Sequence, residues 1–123
     1  LTVVIVHGLD PPSCMGQDAK VRIPESAVRL VNEHDVYLEL LPGLDRLKGN
    51  PNRYGPQDEV IEAFYDTFGP SRLMWGSEFT YVEMPTVKQY RHQFDYLKNR
   101  CSYMTEVDLA MVRGGNAARV HGL

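Results

Sequence analysis

The chain opens with an unbroken apolar run rich in β-branched residues, LTVVIV at positions 1–6. Such runs are typical of strands buried on both faces, and strands of this kind belong almost entirely to parallel sheets. Two further strands are predicted at Asp35–Leu41 (DVYLELL) and Arg72–Phe79 (RLMWGSEF). Because parallel strands need long crossover connections, we expect helices between them. The opening run therefore constrains the chain to an α/β fold.

Helical periodicity fills the segments between and after these strands. Apolar stripes, prolines near the starts and Gly69-Pro70 after the second stripe mark the helix boundaries. Asp108 lies three residues after Thr105, a variant of the capping box that begins a helix. The predicted order is β-α-β-α-β-α-α, with a last short helical turn. The predicted helices are 24–34, 56–68, 85–97, 105–112 and 116–121.

Chain length limits how such a sheet can be completed. With 123 residues, the chain can form one domain with its own core but not two. Three parallel strands on their own would leave both sheet edges open. A (β/α)8 barrel takes about 250 residues, or about 31 per unit, so this length suits part of a TIM barrel. The start within a strand, without an initiator Met, also predicts a piece of a longer protein.

Composition excludes several classes of function. The net charge of −3 argues against a nucleic-acid partner, and no apolar run approaches the ~18 residues that cross a membrane. Cys14 and Cys101 fit no metal or redox spacing, so we interpret them as reduced thiols of a cytoplasmic protein. No strand is followed by G-x-G-x-x-G or a P-loop, which disfavours a nucleotide-binding module.

Polar residues lie at the ends of the predicted strands. His7 ends the first, Glu39 lies late in the second, and Ser77 and Glu78 end the third. Carboxyl ends of parallel strands share one edge of the sheet, where function gathers in α/β folds. An imidazole and carboxylates on one edge can form a metal or acid–base site. The alternative for His7 is a hydrogen-bonded polar cap of its strand.

Two segments resemble motifs of the amidohydrolase-related family. FGPSRLMWGSEF (68–79) is similar to the pattern F-G-x-x-R-h-h-W-G-S-D-h-P at barrel strand eight, where h is apolar, and GGNAARVHGL (114–123) is similar to the closing pattern G-N-A-x-R-h-h-G-h. VVIVHG resembles the family's strand six. The family contains metal-dependent TIM-barrel hydrolases and decarboxylases similar to aminocarboxymuconate-semialdehyde decarboxylase. The resemblance implies that residues 1–123 are a single partial domain, the C-terminal portion (about three βα units) of such a barrel.

The resemblance also implies roles for residues at the strand ends. His7 matches the histidine near the metal, and Glu78 matches the aspartate that contacts the metal and moves a proton. Both are therefore candidate catalytic residues and metal ligands, with zinc as the expected ion and manganese as the alternative. Position 78 is Glu where the family has Asp, and Thr80 stands where it has Pro. The family's H-x-H pair and fifth-strand histidine are not in this sequence.

The expected activity is metal-dependent hydrolysis of a small ester, lactone or amide. The alternatives are non-oxidative decarboxylation of a small carboxylic acid, and a non-catalytic barrel remnant or assembly subunit. Arg46 and Arg53, in the long loop after the second strand, and Glu39 are candidate substrate contacts. The expected partner is a small-molecule substrate, and open sheet edges would favour association into a homo-oligomer.

Overall fold

The computed structural model describes residues 1–6, 8, 14, 16–18, 20–42, 57–77 and 87–123. A 3-10 turn, Pro70–Arg72, leads into the third strand, and a π-helical turn, Met111–Gly115, joins the last two helices. The elements follow the order predicted from the sequence. The strands are β1 (Val3–Ile5), β2 (Val36–Leu40) and β3 (Leu73–Trp75), and the helices are α1 (Glu25–Glu33), α2 (Gln57–Phe68), α3 (Val87–Arg100), α4 (Glu106–Ala110) and α5 (Asn116–His121).

The strands form a parallel sheet, as predicted, and lie in it in the order β1-β2-β3. Val3 pairs with Val36 across the first interface, and Leu38 pairs with Leu73 across the second. Because all strands run in the same direction, their carboxyl ends lie together along one side of the sheet, here called the carboxyl edge. The opposite side is called the amino edge.

The core lies between the sheet and the helices. Side chains alternate between the two faces of a strand, so Leu38 and Leu40 of β2 share one face with Leu73 of β3. Leu38 and Leu73 are fully buried there, and Phe64 of α2 is 2% exposed. The other face carries Tyr37, Glu39 and Met74. The remaining core is Cys14, Val31, Val36, Val60, Ile61, Phe68, Tyr96, Leu97, Cys101, Met104, Leu109 and Val112.

Trp75 packs against α3, on the helix-covered face of the sheet. Its ring makes edge-to-face contacts with Tyr90 and Phe94, at centroid distances of 5.5 and 5.2 Å. Its indole Nε1 donates a hydrogen bond to the Gln93 carbonyl oxygen at 3.2 Å. Met74 is buried on the opposite face. The sequence prediction that both are core residues is confirmed for Met74, while Trp75 is only half-buried.

Polar contacts fix the helices to one another. Asp58 of α2 accepts hydrogen bonds from the Tyr96 hydroxyl and from Arg100 Nε of α3.

Thr105 and Asp108 form the predicted capping box at the start of α4, with the Asp108 amide 3.2 Å from Thr105 Oγ1. The hydrogen bonds from Thr105 hold the pKa of Asp108 below its usual value.

Among the residues that the structure describes, no helix combines the length and apolar character that a bilayer crossing requires.

Asn116 anchors the C-terminal segment to the amino edge. Its side chain is 3% exposed, and Nδ2 donates hydrogen bonds to the carbonyl oxygens of Pro70 and Leu73, at 2.8 and 2.7 Å. Asparagine favours N-cap positions, so the sequence allows Asn116 to cap the final helix, but it does not. Asn116 lies within α5, and no side chain caps that helix. The side chain instead holds the backbone at the start of β3.

Tyr37 and two arginines complete the amino edge. The guanidinium groups of Arg72 and Arg119 lie 5.4 and 5.5 Å from the Tyr37 ring centroid. Arg72 also pairs with Asp35 at 2.9 Å, and Arg119 donates to the Ser71 carbonyl oxygen at 3.1 Å. A hydrogen bond from Thr2, followed by the contact with Arg72, holds the pKa of Asp35 below its usual value. The arginines of both sequence motifs are thus structural residues remote from the carboxyl edge.

Candidate active site

Glu39 is the acidic residue that the structure describes at the carboxyl edge. It lies one position before the end of β2, paired with Met74 of β3, and it is half-buried. Its side chain is on the sheet face away from the helix core. A carboxylate in this position can interact with a cation or exchange a proton with a bound molecule.

Gly76 shows where the Glu39 side chain goes. A Cβ atom built on Gly76 would overlap Oε1 and Cδ of Glu39. Real Cβ atoms do not approach neighbours this closely, so the Glu39 side chain occupies the space that a larger residue at position 76 would need. Because Glu39 pairs with Met74 but reaches Gly76, its carboxylate leans toward the carboxyl edge.

Gly8, which follows β1, also lies close to Glu39. Its φ is +62°, in the left-handed region that favours glycine. A Cβ on Gly8 would lie 2.9 Å from the Glu39 carbonyl oxygen and 3.2 Å from Phe64 Cε2. The chain leaving β1 therefore passes directly over the Glu39 backbone, while the chain leaving β3 contacts the Glu39 side chain.

Substituting Gly8 tests this close approach. Gly8→Ala should lose about 1–2 kcal/mol from the left-handed backbone, plus about 1–3 kcal/mol from crowding against Glu39. Gly122→Ala is the matched control, since Gly122 is left-handed, with φ 70° and ψ 33°, and has open space around its Cβ position. Chemical denaturation of both variants measures the difference. Equal losses of unfolding free energy would contradict the contact with Glu39.

The structure describes Glu39 but not the other predicted site residues. His7, Glu78, Arg46 and Arg53 lie outside the described residues. Glu39 lies inside them, at the carboxyl edge, as the sequence allowed. Over the described ranges, no group of three or more His, Cys, Asp and Glu side chains could hold a metal ion.

Sequence analysis did not identify the two glycines as site residues. Gly8 follows His7 directly, and Gly76 lies two positions before Glu78. The sequence pattern shows Gly8 only as the end of the first strand and places Gly76 inside the predicted third strand. The structure adds that a Cβ would meet the Glu39 backbone at Gly8 and the Glu39 side chain at Gly76.

Neither cysteine belongs to this site. Cys14 and Cys101 form no disulfide, and both are buried in the core. Cys14 follows a proline-rich sequence, Asp10-Pro11-Pro12-Ser13, that allows it to be exposed, but its exposure is 0%. Burial raises the pKa of Cys101, which keeps its thiol protonated and poorly nucleophilic.

The parallel sheet and its glycine-lined carboxyl edge define an α/β protein of the class that carries its site at strand ends. A family model described as amidohydrolase matches residues 1–123. The chain therefore belongs to the amidohydrolase family, as the strand-end and C-terminal motifs predicted.

Two solved structures share the fold of this chain. A zinc-bound crystal structure of an amidohydrolase from Burkholderia multivorans is 22% identical, with a TM-score of 0.63, and the match covers 99% of this chain and 44% of that one. A second crystal structure of an amidohydrolase from that organism, with bound HEPES, is 20% identical, with a TM-score of 0.58 and coverages of 99% and 45%. The chain thus spans less than half the length of these structures. No curated protein matches it.

Proposed function

We propose that the chain forms the C-terminal portion, about three βα units, of a TIM barrel that is a metal-dependent hydrolase of small esters, lactones or amides. One observation carries this proposal: the ends of β1 and β3 converge on Glu39 through Gly8 and Gly76. His7 and Glu78 adjoin these ends in the sequence. A histidine and two carboxylates are therefore expected around one edge of the sheet.

His7 and Glu78 are the residues that we propose as ligands of a divalent metal ion. Imidazole nitrogen and carboxylate oxygen are donors that zinc accepts, and manganese accepts carboxylate readily. The Burkholderia multivorans structure with bound zinc supports zinc as the first candidate. The chain's donor chemistry fits such an ion, with Glu39 as a further acidic group nearby.

Each proposed residue has a separate task. A divalent metal ion, when bound, polarises a carbonyl oxygen and lowers the pKa of water. Glu78 would accept or donate the proton that hydrolysis requires, which needs its carboxylate within hydrogen-bond reach of the reacting group. Arg46 or Arg53 would bind a carboxylate of the substrate, since guanidinium and carboxylate groups match in a bidentate pair. The two buried cysteines, which form no disulfide, suit the cytoplasmic location predicted from the sequence.

Elemental analysis of the intact purified protein tests the metal assignment. We expect about one divalent ion per site in the wild type and its loss in a His7→Ala/Glu78→Ala double variant. Gly69→Ala, remote from the carboxyl edge, is the control for non-specific metal loss. A folded intact protein without metal would overturn the metal-dependent proposal and favour a non-catalytic scaffold.

Two ester probes and one acid probe then separate the reactions. Release of 4-nitrophenol from 4-nitrophenyl acetate, or opening of dihydrocoumarin, would support the hydrolase. Carbon dioxide release from an aromatic acid, without ester or lactone turnover, would support decarboxylation instead.

A further inference from the structure

Gln93 carries a buried amide on the core side of α3. Its exposure is 0%, the same as that of Leu97, which lies about one helical turn further along the same face. Arg91 and His92, on the other side of the helix, are exposed. An amphipathic helix ordinarily carries an apolar residue on its buried face, so a glutamine at this position needs a physical reason.

The polar atoms of the Gln93 side chain are enclosed and unbonded. Oε1 and Nε2 each expose less than 1 Å², and neither has a hydrogen-bond partner in the part of the chain that the structure describes. The amide group of a glutamine has two donor hydrogens and an acceptor oxygen, so the bonding capacity of this group is unused. Burial of such a group without a partner destabilises a fold, and native proteins satisfy nearly all of their buried polar groups.

The backbone of Gln93, in contrast, is bonded to the sheet. Its carbonyl oxygen accepts the 3.2 Å hydrogen bond from Nε1 of Trp75, the last residue of β3. The Trp75 ring also packs against Tyr90 and Phe94, which precede and follow Gln93 in the helix. Gln93 therefore lies at a packed contact between helix and sheet, well inside α3.

We propose that the Gln93 amide binds a single internal water molecule in the layer between α3 and the sheet. The chemistry of water matches the amide, since one water oxygen can donate to Oε1 and accept from Nε2. Globular proteins hold ordered water at enclosed polar groups of this kind, where each water typically bonds to about three protein groups. The amide is neutral, so it does not favour an ion over water. The site is independent of the hydrolase proposed above.

Crystallography of the intact protein, beside a Gln93→Met variant, tests the water site. In the wild type we expect a solvent peak within about 3.2 Å of both Oε1 and Nε2. Methionine has a similar length and volume but no amide, so the peak should be lost while α3 stays in place. A wild-type structure in which a protein group bonds to the amide instead, or in which it has no partner, would overturn the proposal. A peak that persists in Gln93→Met would also overturn it.

Nuclear magnetic resonance of the intact wild type gives a readout that does not depend on the variant. Cross-relaxation between water and the side-chain amide protons of Gln93 is measured in the laboratory frame and in the rotating frame. We expect the two rates to have opposite signs, which is the signature of water that stays in place far longer than surface hydration. Gln17, an exposed glutamine, is the matched control and should show equal signs. Equal signs at Gln93, or no cross-relaxation there, would contradict an internal water.

Discussion

Replacement of Glu78 by alanine is expected to lower kcat/KM for the ester and lactone probes by about 10²- to 10⁴-fold, the range that general acid–base groups contribute. The carboxylate is expected both to move a proton and to contact the metal. Glu78→Gln keeps the length of the side chain but cannot ionise, so it should lose nearly as much. The measurement is steady-state kinetics on the intact protein, with metal content determined for each variant.

Glu33→Ala is the matched control, because Glu33 is an exposed glutamate at the end of α1. It should leave kcat/KM unchanged. Wild-type kinetics in Glu78→Ala would show that the reaction does not use this carboxylate. A loss confined to Glu78→Ala, with Glu78→Gln fully active, would assign the residue a steric role and contradict proton transfer.

The length of the Glu78 side chain also bears on its expected role. The family motif has aspartate here, and one additional methylene moves a carboxylate by about 1 Å, more than the ~0.5 Å that a site tolerates. Glu78 can therefore serve only where the backbone before it has adjusted.

The order of the strands could be predicted from the sequence because their patterns are local. LTVVIV and VYLEL are continuous apolar or nearly apolar runs, and such runs are typical of strands in parallel sheets. The capping box at Thr105 and Asp108 was equally predictable, since both partners lie within one helical turn. Family membership followed from two short motifs for the same reason.

The contacts between distant residues could not be predicted in this way. Asn116 reaches Pro70 and Leu73, more than forty positions earlier in the chain, so nothing in its local pattern separates this role from capping. Glu39 and Gly76 likewise meet only through the register of β2 with β3. A register error of one residue would move Glu39 to the other face of the sheet.

Asn116→Ala is expected to lower the free energy of unfolding by about 2–4 kcal/mol, because it leaves two backbone carbonyl groups without their donor and opens a cavity. The Asn116 side chain is almost fully buried, so water replaces the lost bonds poorly. Chemical denaturation of the intact protein, followed by circular dichroism, measures the loss. His121→Ala, at an exposed position of the same helix, should change stability by less than about 0.5 kcal/mol.

The kcat of Asn116→Ala distinguishes a structural role at the amino edge from a role in the reaction at the carboxyl edge. Asn116 holds the start of β3, whereas the proposed reaction occurs beyond its end, so the folded fraction of Asn116→Ala should keep a kcat near wild type. Asn116→Asp retains the size of the side chain but has no donor for the two carbonyl oxygens, and it should be at least as destabilising at neutral pH. Wild-type stability in both variants would contradict the anchoring role. Full stability loss without loss of kcat would show that Asn116 stabilises the scaffold and takes no part in the reaction.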